Sequence, residues 1–401
     1  MPRQRQLTVV VALLSMVGPF SIDTYLPSFP DIEAEFGVGR AILAQSLGVY
    51  LVAFGVATLA WGPLADRFGR RIVILGCLAV YTLASGGCAM STDASGFLIL
   101  RTLQGLAASG GFVAGRAMVR DAHDAGSAHR AMSHVMLLFA LAPAVAPVLG
   151  GWLHDAWGWR SVFWFLTAFG GLLVALVLSV PETLAPEHRR SIHPLAVAGV
   201  YGRILRSGRF LALVLSLACG FGGLFLYIAG APTVIFDFLG LGPRDFGIQF
   251  VPMVAGLMAG SALSGHLARR WPAPRTVALG LAIMALGAAG NIASALLWPP
   301  MPATVIGPLV IYTLGVAVLM PPVTVMALDC FPGHRGSASA AQGFVQMGAN
   351  ALIASLVVPL LHGTRLGFVL GQAGLLGGAL IAAAWAVAIH ERFRRRRTPP
   401  V

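Results

Sequence analysis

The sequence predicts an all-α integral membrane protein built from twelve transmembrane helices. Hydrophobic residues make up 57% of the 401-residue chain and charged residues only 10%, and the mean hydropathy is +0.81. A soluble domain carries about 25% charged residues, so a soluble globular protein is excluded. Apolar segments of about 20 residues recur along the chain, which is the length that a helix needs to cross a hydrocarbon core of about 30 Å.

These apolar segments form two groups of six, separated by a polar stretch. We predict a six-helix bundle at 1–180, a cytoplasmic linker at 181–209, and a second six-helix bundle at 210–401 that ends in a basic cytoplasmic tail. Within the linker, residues 192–205 are expected to lie along the membrane interface as an amphipathic segment. The twelve spans are expected near 7–29, 43–61, 72–90, 96–115, 131–152, 161–180, 210–236, 246–268, 274–298, 303–328, 337–361 and 366–390.

The arginines predict the orientation of the chain. All 27 basic residues are arginines, and 22 of them lie on cytoplasmic segments if the N-terminus is cytoplasmic. This asymmetry follows the positive-inside rule. The sequence therefore predicts a multi-pass protein of the cell inner membrane, surrounded by the lipid bilayer, with both termini in the cytoplasm. The net charge of +12 reflects this topology, so no nucleic-acid partner is expected.

No pattern typical of catalysis or metal binding is visible in the sequence. The four cysteines lack metal-type spacing, and we find no nucleotide-binding loop and no nucleophile arrangement. We therefore expect that the protein is not an enzyme, binds no metal or cofactor, and functions as a monomer. The histidines are expected to lie in loops.

A charged, glycine-containing turn lies between the second and third spans. Its sequence, GPLADRFGRR, resembles the signature G-x-L-A-D-R-x-G-R-R/K of the major facilitator superfamily. We expect Gly62 and Gly69 to permit a tight reversal. Asp66 is expected to pair with Arg70 or to cap a helix from the other half, as a latch that opens during conformational change. The alternative is a solvated hairpin that only obeys positive-inside sorting. The expected latch residues are Gly62, Asp66, Arg67, Gly69 and Arg70.

The superfamily resemblance implies two similar six-helix halves with a substrate site at the membrane midplane between them. A weaker copy of the charged turn, Gly265-His-Leu-Ala-Arg-Arg, follows span 8 and supports a duplication. This copy lacks the aspartate.

Asp23 is the leading candidate for a proton carrier. It is the one acidic residue placed well inside an expected span, where a charge is costly by at least about 2.5–3.5 kcal/mol. Burial favours the protonated form of a carboxyl group and a nearby arginine favours the charged form, so a movable arginine would prepare Asp23 to bind and release a proton. A static ion pair or a water-facing aspartate is the alternative.

Arg101 enters span 4 at a similar depth, so it is placed to pair or compete with Asp23. The surrounding Leu98-Ile-Leu-Arg-Thr-Leu-Gln-Gly105 resembles the R-x-x-Q-G motif of the superfamily. The resemblance implies a role for Arg101 in proton transfer. A packing and ion-pair role is the alternative.

Span 5 contains two prolines and a glycine pair. Proline kinks a helix, and small residues allow helices to approach closely. The segment resembles the antiporter motif that ends in G-P-x-x-G-G, with Ala146 in place of its first glycine. A kinked packing helix without directional meaning is the alternative. The motif positions are Pro143, Pro147, Gly150 and Gly151.

Span 1 points to one branch of the superfamily. Its Ser-Ile-Asp-Thr-Tyr-Leu-Pro-Ser-Phe-Pro sequence at 21–30 resembles the Bcr/CflA-type branch of drug:proton antiporters, which is linked to bicyclomycin and chloramphenicol resistance. Pro181-Glu-Thr-Leu after span 6 and Tyr227-Ile-Ala-Gly-Ala-Pro232 in span 7 are similar to that branch as well.

Candidate substrate contacts are polar and aromatic residues of several spans. Three polar residues of span 11 recur every four residues and share one helix face, where they contact substrate or form interhelical hydrogen bonds. Several aromatic residues line a cavity or pack against protein and lipid. The candidate substrate-binding residues are Tyr25, Tyr50, Phe225, Tyr227, Gln342, Gln346 and Asn350.

The sequence thus predicts proton-coupled efflux of small amphipathic drugs or toxic compounds by alternating access. Because the second half has almost no charge inside its spans, a mostly apolar cavity is expected, which favours neutral or weakly charged aromatic substrates. The alternatives are a proton-coupled transporter of one specific metabolite, such as an amino acid, and a membrane sensor that does not transport.

Overall fold

The computed structural model describes residues 2–123, 125–189 and 194–397. This part of the chain is helical and contains no β-strand. Short 3-10 segments and two π-helical segments, Thr233–Phe238 and Ile353–Val357, interrupt the α-helices. The α-helices are α1 Pro2–Asp23, α2 Phe29–Phe36, α3 Arg40–Phe68, α4 Arg70–Met90, α5 Ala94–Ala122, α6 Ala125–Trp157, α7 Trp159–Leu178, α8 Pro194–Leu205, α9 Gly208–Ala229, α10 Phe246–Leu267, α11 Ala273–Leu297, α12 Pro302–Leu328, α13 Arg335–Leu352, α14 Val358–Leu361 and α15 Arg365–Arg397.

Twelve helical stretches within the described ranges are long and apolar enough to cross a membrane. The predicted all-α fold with twelve spans is therefore confirmed. The linker contains the short helix α8, while residues 190–193 of the linker lie outside the described residues, as do the side chains of the basic tail beyond Arg392. The interfacial position expected for 192–205 stays a prediction.

The helices form two compact units, each with its own interior. Unit 1 consists of residues 1–192, 231–251 and 354–359, and unit 2 consists of 193–230, 252–353 and 360–401. Two short segments from the second half of the sequence therefore belong to unit 1. The division into 1–180, 181–209 and 210–401 stays a prediction.

Helix α1 stops at Asp23 because prolines follow. Pro27 lies in the first turn of a 3-10 helix, Leu26–Ser28, and Pro30 lies in the first turn of α2. Proline has no backbone N–H and fits the first turn of a helix, so it starts a new helix rather than continuing the old one. The chain thus bends immediately after Asp23.

Helix α6 runs to Trp157, beyond the predicted end of the fifth span at 152. Gly158 ends it with a φ of 76°, a conformation that glycine adopts without strain, and its N–H donates to the carbonyl of His154. The expectation that the histidines lie in loops is therefore wrong for His134, His154 and His266, which lie in helices. His154 has 8% of its surface exposed.

We refer to the two ends of unit 1 as the Arg40 end and the Arg70 end. The Arg40 end contains the end of α1, the start of α3 and the end of α6. The Arg70 end contains the end of α3, the start of α4 and the end of α7.

Candidate functional site

Asp23 is a buried carboxylate at the last position of α1. Only 3% of its surface is exposed, and its Oδ1 has no hydrogen-bond partner among the described residues. A buried polar atom without a partner is uncommon because desolvation is then uncompensated. Asp23 therefore occupies a position where gain or loss of a proton changes the local energy strongly.

Arg101 is fully buried on α5, between two tyrosines. Its guanidinium carbon lies 4.4 Å from the ring centre of Tyr25 and 4.5 Å from that of Tyr50. Such cation–π contacts are worth about 2 kcal/mol each when they are desolvated. Its Nη1 donates to Oε1 of Gln104, while Nε and Nη2 have no hydrogen-bond partner in the described part of the chain. The aromatic rings, rather than a carboxylate, hold this charge.

Serine and tyrosine hydroxyls surround the tyrosine pair. Ser21 and Tyr81 share a hydrogen bond of 2.8 Å, and Tyr25 and Ser46 share one of 3.2 Å. Sequence reasoning missed Ser21, Ser46 and Tyr81, because a small hydroxyl residue in an apolar span has no pattern that separates a network member from a packing residue.

Gln104 connects Arg101 to α4. The Nε2 of Gln104 donates to Ser85 Oγ over 2.7 Å, while its Oε1 accepts from Arg101. Gln104 is the glutamine of the R-x-x-Q-G motif, so that motif contained the signal from which its role could have been found.

No ion pair joins Asp23 to Arg101 within the described residues. The two side chains are brought into one region nonetheless, because Tyr25, two residues after Asp23, stacks on the guanidinium. Of the two sequence alternatives for Asp23, the static ion pair does not occur in this conformation. Both ionisable groups are buried without an opposite charge in contact.

The glycines of the antiporter-like motif create two very close backbone contacts. A Cβ on Gly150 would lie 1.8 Å from the carbonyl oxygen of Thr24, and one on Gly151 would lie 2.1 Å from that of Pro243. Both distances are impossible for real atoms, so glycine is required at both positions. Gly150 thereby places α6 directly against the residue that follows Asp23. Pro143 and Pro147 lie within α6.

The charged turn at the Arg70 end contains an ion-pair network. Arg70 Nη1 lies 2.5 Å from Asp66 Oδ1, and Arg70 Nε lies 3.2 Å from Asp121 Oδ2 of α5. Gly69 makes the reversal with a φ of 104°. The expectation that Gly62 permits the reversal is wrong, because Gly62 lies inside α3, which continues to Phe68. Arg67 is exposed beside the ring of Phe68.

Glu182 fixes the start of α4. Its two carboxylate oxygens accept the backbone N–H groups of Arg70 and Arg71 at 3.1 and 3.0 Å. These N–H groups have no partner inside the helix, and a negative charge is favourable at a helix N-terminus. Glu182 belongs to the Pro-Glu-Thr-Leu segment, whose structural role sequence reasoning did not find because the contact spans 112 residues.

The candidate substrate-binding residues lie in three places. Tyr25 and Tyr50 form the tyrosine pair around Arg101 in unit 1. Phe225 and Tyr227 are buried in α9 of unit 2. The polar residues of α13 hydrogen-bond within unit 2, Gln342 to Thr324 at 3.0 Å and Gln346 to Asn350 at 3.2 Å.

A cavity of about 560 Å³ lies along α3 and α5 of unit 1. Its volume is in the range of small-molecule sites. Gln45 and Thr102 are polar residues in an otherwise largely apolar lining that includes Val49, Val52 and Leu356. None of the candidate substrate-binding residues lines this cavity.

The described side chains contain no group of three or more histidine, cysteine, aspartate or glutamate residues that could hold a metal ion. Asp23 and Arg101 are buried ionisable groups of unit 1.

Comparison with known proteins gives matches over almost the whole chain. The family model described as Major Facilitator Superfamily matches residues 11–354. The bicyclomycin resistance protein homolog of Haemophilus influenzae is 28% identical over 88% of each chain, and multidrug resistance protein D of Escherichia coli is 27% identical over 96% of each chain. The crystal structure of a bacterial homolog of the human lysosomal transporter Spinster superposes with a TM-score of 0.77 at 16% identity, covering 100% of both chains. This last likeness concerns the fold alone.

Proposed function

Because this chain belongs to the major facilitator superfamily, we propose that it exports small amphipathic drugs or toxic compounds in exchange for protons. Export would proceed by alternating access across the inner membrane, in a monomer whose partners are its substrate, protons and the lipid bilayer. The names of the relatives support export, since one is named for bicyclomycin resistance and another for multidrug resistance.

The single observation that carries proton coupling is the buried, unpartnered carboxylate of Asp23. An ionisable group inside a membrane protein is costly and marks a proton or substrate pathway by default. In the proposed cycle, Asp23 takes up a proton from the outside, and its release to the inside accompanies outward movement of the substrate.

Arg101 is proposed to sense the charge on Asp23. While Asp23 is protonated, the guanidinium stays between Tyr25 and Tyr50, as observed here. Once Asp23 is charged, the carboxylate competes for the two guanidinium nitrogens that lack partners. The exchange of partners would couple protonation to a change in the packing of α1 against α5.

Three further assignments support alternating access. The ion pairs of Asp66 and Arg70 are proposed to act as a latch at the Arg70 end. The glycines at 150 and 151 are proposed to form the crossing about which α1 and α6 move. We propose that the substrate contacts the cavity along α3 and α5. Further proposed contacts are the candidate residues Tyr25, Tyr50, Phe225, Tyr227, Gln342, Gln346 and Asn350.

The arginine distribution supports a cytoplasmic location for both termini. In that orientation the Arg40 end faces outside and the Arg70 end faces the cytoplasm. No enzymatic activity is proposed.

The function is tested with purified protein in proteoliposomes. A panel of amphipathic drugs and of amino acids is offered in counterflow, and uptake is then driven by an imposed pH gradient. We expect counterflow and pH-driven transport of drugs but not of amino acids. The reverse preference would replace the proposal by the metabolite transporter.

Asp23→Asn is the matched variant, because asparagine has the shape of the aspartate but cannot bind and release the proton. It should retain substrate counterflow and lose pH-driven transport at least about a hundredfold, the size of a typical proton-transfer contribution. Transport against a gradient by Asp23→Asn, driven by protons alone, would place the coupling site elsewhere.

A further inference from the structure

A second cavity lies at the Arg40 end of unit 1. Its volume is about 300 Å³, and its lining contains Asp31, Arg40, His154 and Asp237, together with prolines and Phe236. The mechanism described above uses none of these residues. The cavity is bounded by the end of α6 and by the segment that follows α1.

His154 occupies an unusual environment for a histidine. Its Nε2 lies 3.4 Å from Oδ2 of Asp31, whose side chain is 60% exposed. Its Nδ1 is buried and has no hydrogen-bond partner among the described residues. One ring nitrogen therefore faces a water-accessible carboxylate, while the other faces the protein interior.

His154 also lies close to Asp23 along the packed helices. Gly150 touches the backbone of Thr24, the residue after Asp23. His154 follows Gly150 by four residues, which is one turn of α6 or about 6 Å along the helix axis. The imidazole is thus one helical turn further toward the Arg40 end than Asp23.

We propose that His154 is the outer proton-binding site of the transporter and passes protons from the cavity to Asp23. Histidine suits this role because it changes charge between about pH 5 and 8. The proposal rests on proton coupling through Asp23 and adds the route by which the proton arrives.

Carboxylates outnumber arginines among the residues that line the cavity. Asp31 from α2 and Asp237 from the π-helical segment contribute negative charge. Arg40 from α3 is neutralised by ion pairs with Glu33 and Asp237. Asp155, next to His154 on α6, pairs with Arg244. The carboxylate of Asp31 therefore faces His154 without a cation of its own.

The proposed transfer conserves protons and charge. A proton from the cavity binds one nitrogen of the neutral imidazole, which forms an N–H bond and a positive ring. The ring then loses the proton from its other nitrogen to the carboxylate of Asp23, directly or through one water. The neutral ring that remains is the opposite tautomer, and proton exchange with water at its two nitrogens restores the starting tautomer.

His154→Ala provides the test in proteoliposomes whose outer face is exposed to buffers of different pH. We expect pH-driven transport to fall about tenfold, within the range of proton-transfer contributions. Counterflow at equal pH on both sides requires no net proton uptake and should stay within about twofold of wild type.

Chemical rescue separates a proton relay from a structural role. Removal of the imidazole enlarges an existing cavity of about 300 Å³, which has room for free imidazole. Imidazole added outside should restore pH-driven transport of His154→Ala in proportion to its concentration and leave wild type unaffected. Transport by His154→Gln, whose side chain fills the space, should be slow and should not respond to added imidazole.

His134→Ala is the matched control, because His134 lies exposed on the same helix and is hydrogen-bonded within it. It should transport like wild type. The relay is overturned if His154→Ala and His154→Gln keep wild-type pH-driven transport, or if imidazole fails to rescue a slow His154→Ala. These results are independent of the proposed function, which fails instead when Asp23→Asn still couples transport to protons.

Discussion

The two units bury different kinds of polar group. In unit 1 the buried polar residues include four that carry or can gain charge, namely Asp23, Arg70, Arg101 and His154. In unit 2 the buried polar residues of the described chain are neutral: Ser216, Ser264, Thr276, Asn291, Ser294, Thr313, Asn350 and Gln372. The two halves therefore share an architecture and differ in the chemistry of their interiors.

The two kinds of buried polar group differ in their energetic cost. Asn291 and Gln372, for example, are neutral residues joined by a hydrogen bond of 2.7 Å, so each satisfies the other in this conformation. Arg101 has two guanidinium nitrogens without partners, and Asp23 has one such oxygen. Unsatisfied groups store free energy that a change of partner can release, whereas satisfied groups hold a structure together.

The charged turn and its weaker copy repeat this contrast. In unit 1, Asp66 pairs with Arg70, which also pairs with Asp121. In unit 2 the position equivalent to Asp66 is Arg269, and no ion pair of Arg269 or Arg270 is found among the described residues. The ion pairs proposed as a latch are therefore present at the first turn and, in the part of the chain that the structure describes, not at its copy.

Arg101→Met should have the largest effect and should separate function from stability. Desolvation of the buried guanidinium costs several kcal/mol, while two cation–π contacts return about 2 kcal/mol each, so the net change in stability is small. We expect the melting temperature in detergent to move by less than about 5 °C. Efflux driven by a pH gradient should fall at least about a hundredfold.

Asn291→Leu in unit 2 should have the opposite effect, because it should lower stability and leave transport nearly unchanged. It leaves the buried Oε1 of Gln372 without its donor, which costs about 1–3 kcal/mol of stability. Transport by the folded protein should stay within about twofold of wild type. If Arg101→Met lowers stability and spares transport, or if Asn291→Leu does the reverse, the contrast between the units is wrong.

Asp66→Arg makes the first turn resemble the second. The new arginine faces Arg70 in place of its counter-ion, so the conformation held by the ion pair loses stability. We expect efflux to fall about tenfold, which corresponds to a shift of about 1.4 kcal/mol in the conformational equilibrium. Surface labelling should show unchanged insertion, and Arg269→Ala should behave like wild type. Wild-type efflux by a correctly inserted Asp66→Arg variant would show that the ion pair of Asp66 and Arg70 is not a latch.

The effect of Gly150→Ala is measured as stability rather than transport. The added Cβ collides with the carbonyl of Thr24, and overpacking of this kind costs about 1–3 kcal/mol. Gly348→Ala in α13 is the matched control because its Cβ meets open space, and it should stabilise by about 0.5–1 kcal/mol. Equal melting temperatures for the two variants would show that α1 and α6 do not rely on this contact.

Much of the fold was predictable from the sequence. The hydropathy pattern predicts twelve spans because each must satisfy the same hydrocarbon thickness, and the structure confirms them. The short motifs predict the superfamily and its bicyclomycin- and chloramphenicol-resistance branch, which the relatives confirm. These predictions depend on local sequence, which a single chain displays directly.

The partners of the site residues were not predictable in the same way. Depth along a helix placed Asp23 and Arg101 at a common level, but the rotation of α5 turns the guanidinium to Tyr25 and Tyr50. Glu182 and His154 escaped notice because their contacts connect distant parts of the chain or depend on where a helix ends. The end of α6 is set by the conformation of Gly158, which hydropathy does not report.

The tyrosines on either side of Arg101 also make the protein its own optical reporter. The ultraviolet absorption of a phenol ring responds to a cation held against its face, and two of the six tyrosines of this chain contact the guanidinium in this way. Departure of the arginine from Tyr25 and Tyr50 therefore alters the difference spectrum of the unlabelled protein. If Arg101 changes partners during transport as proposed, stopped-flow absorbance spectroscopy can time that movement without any attached dye.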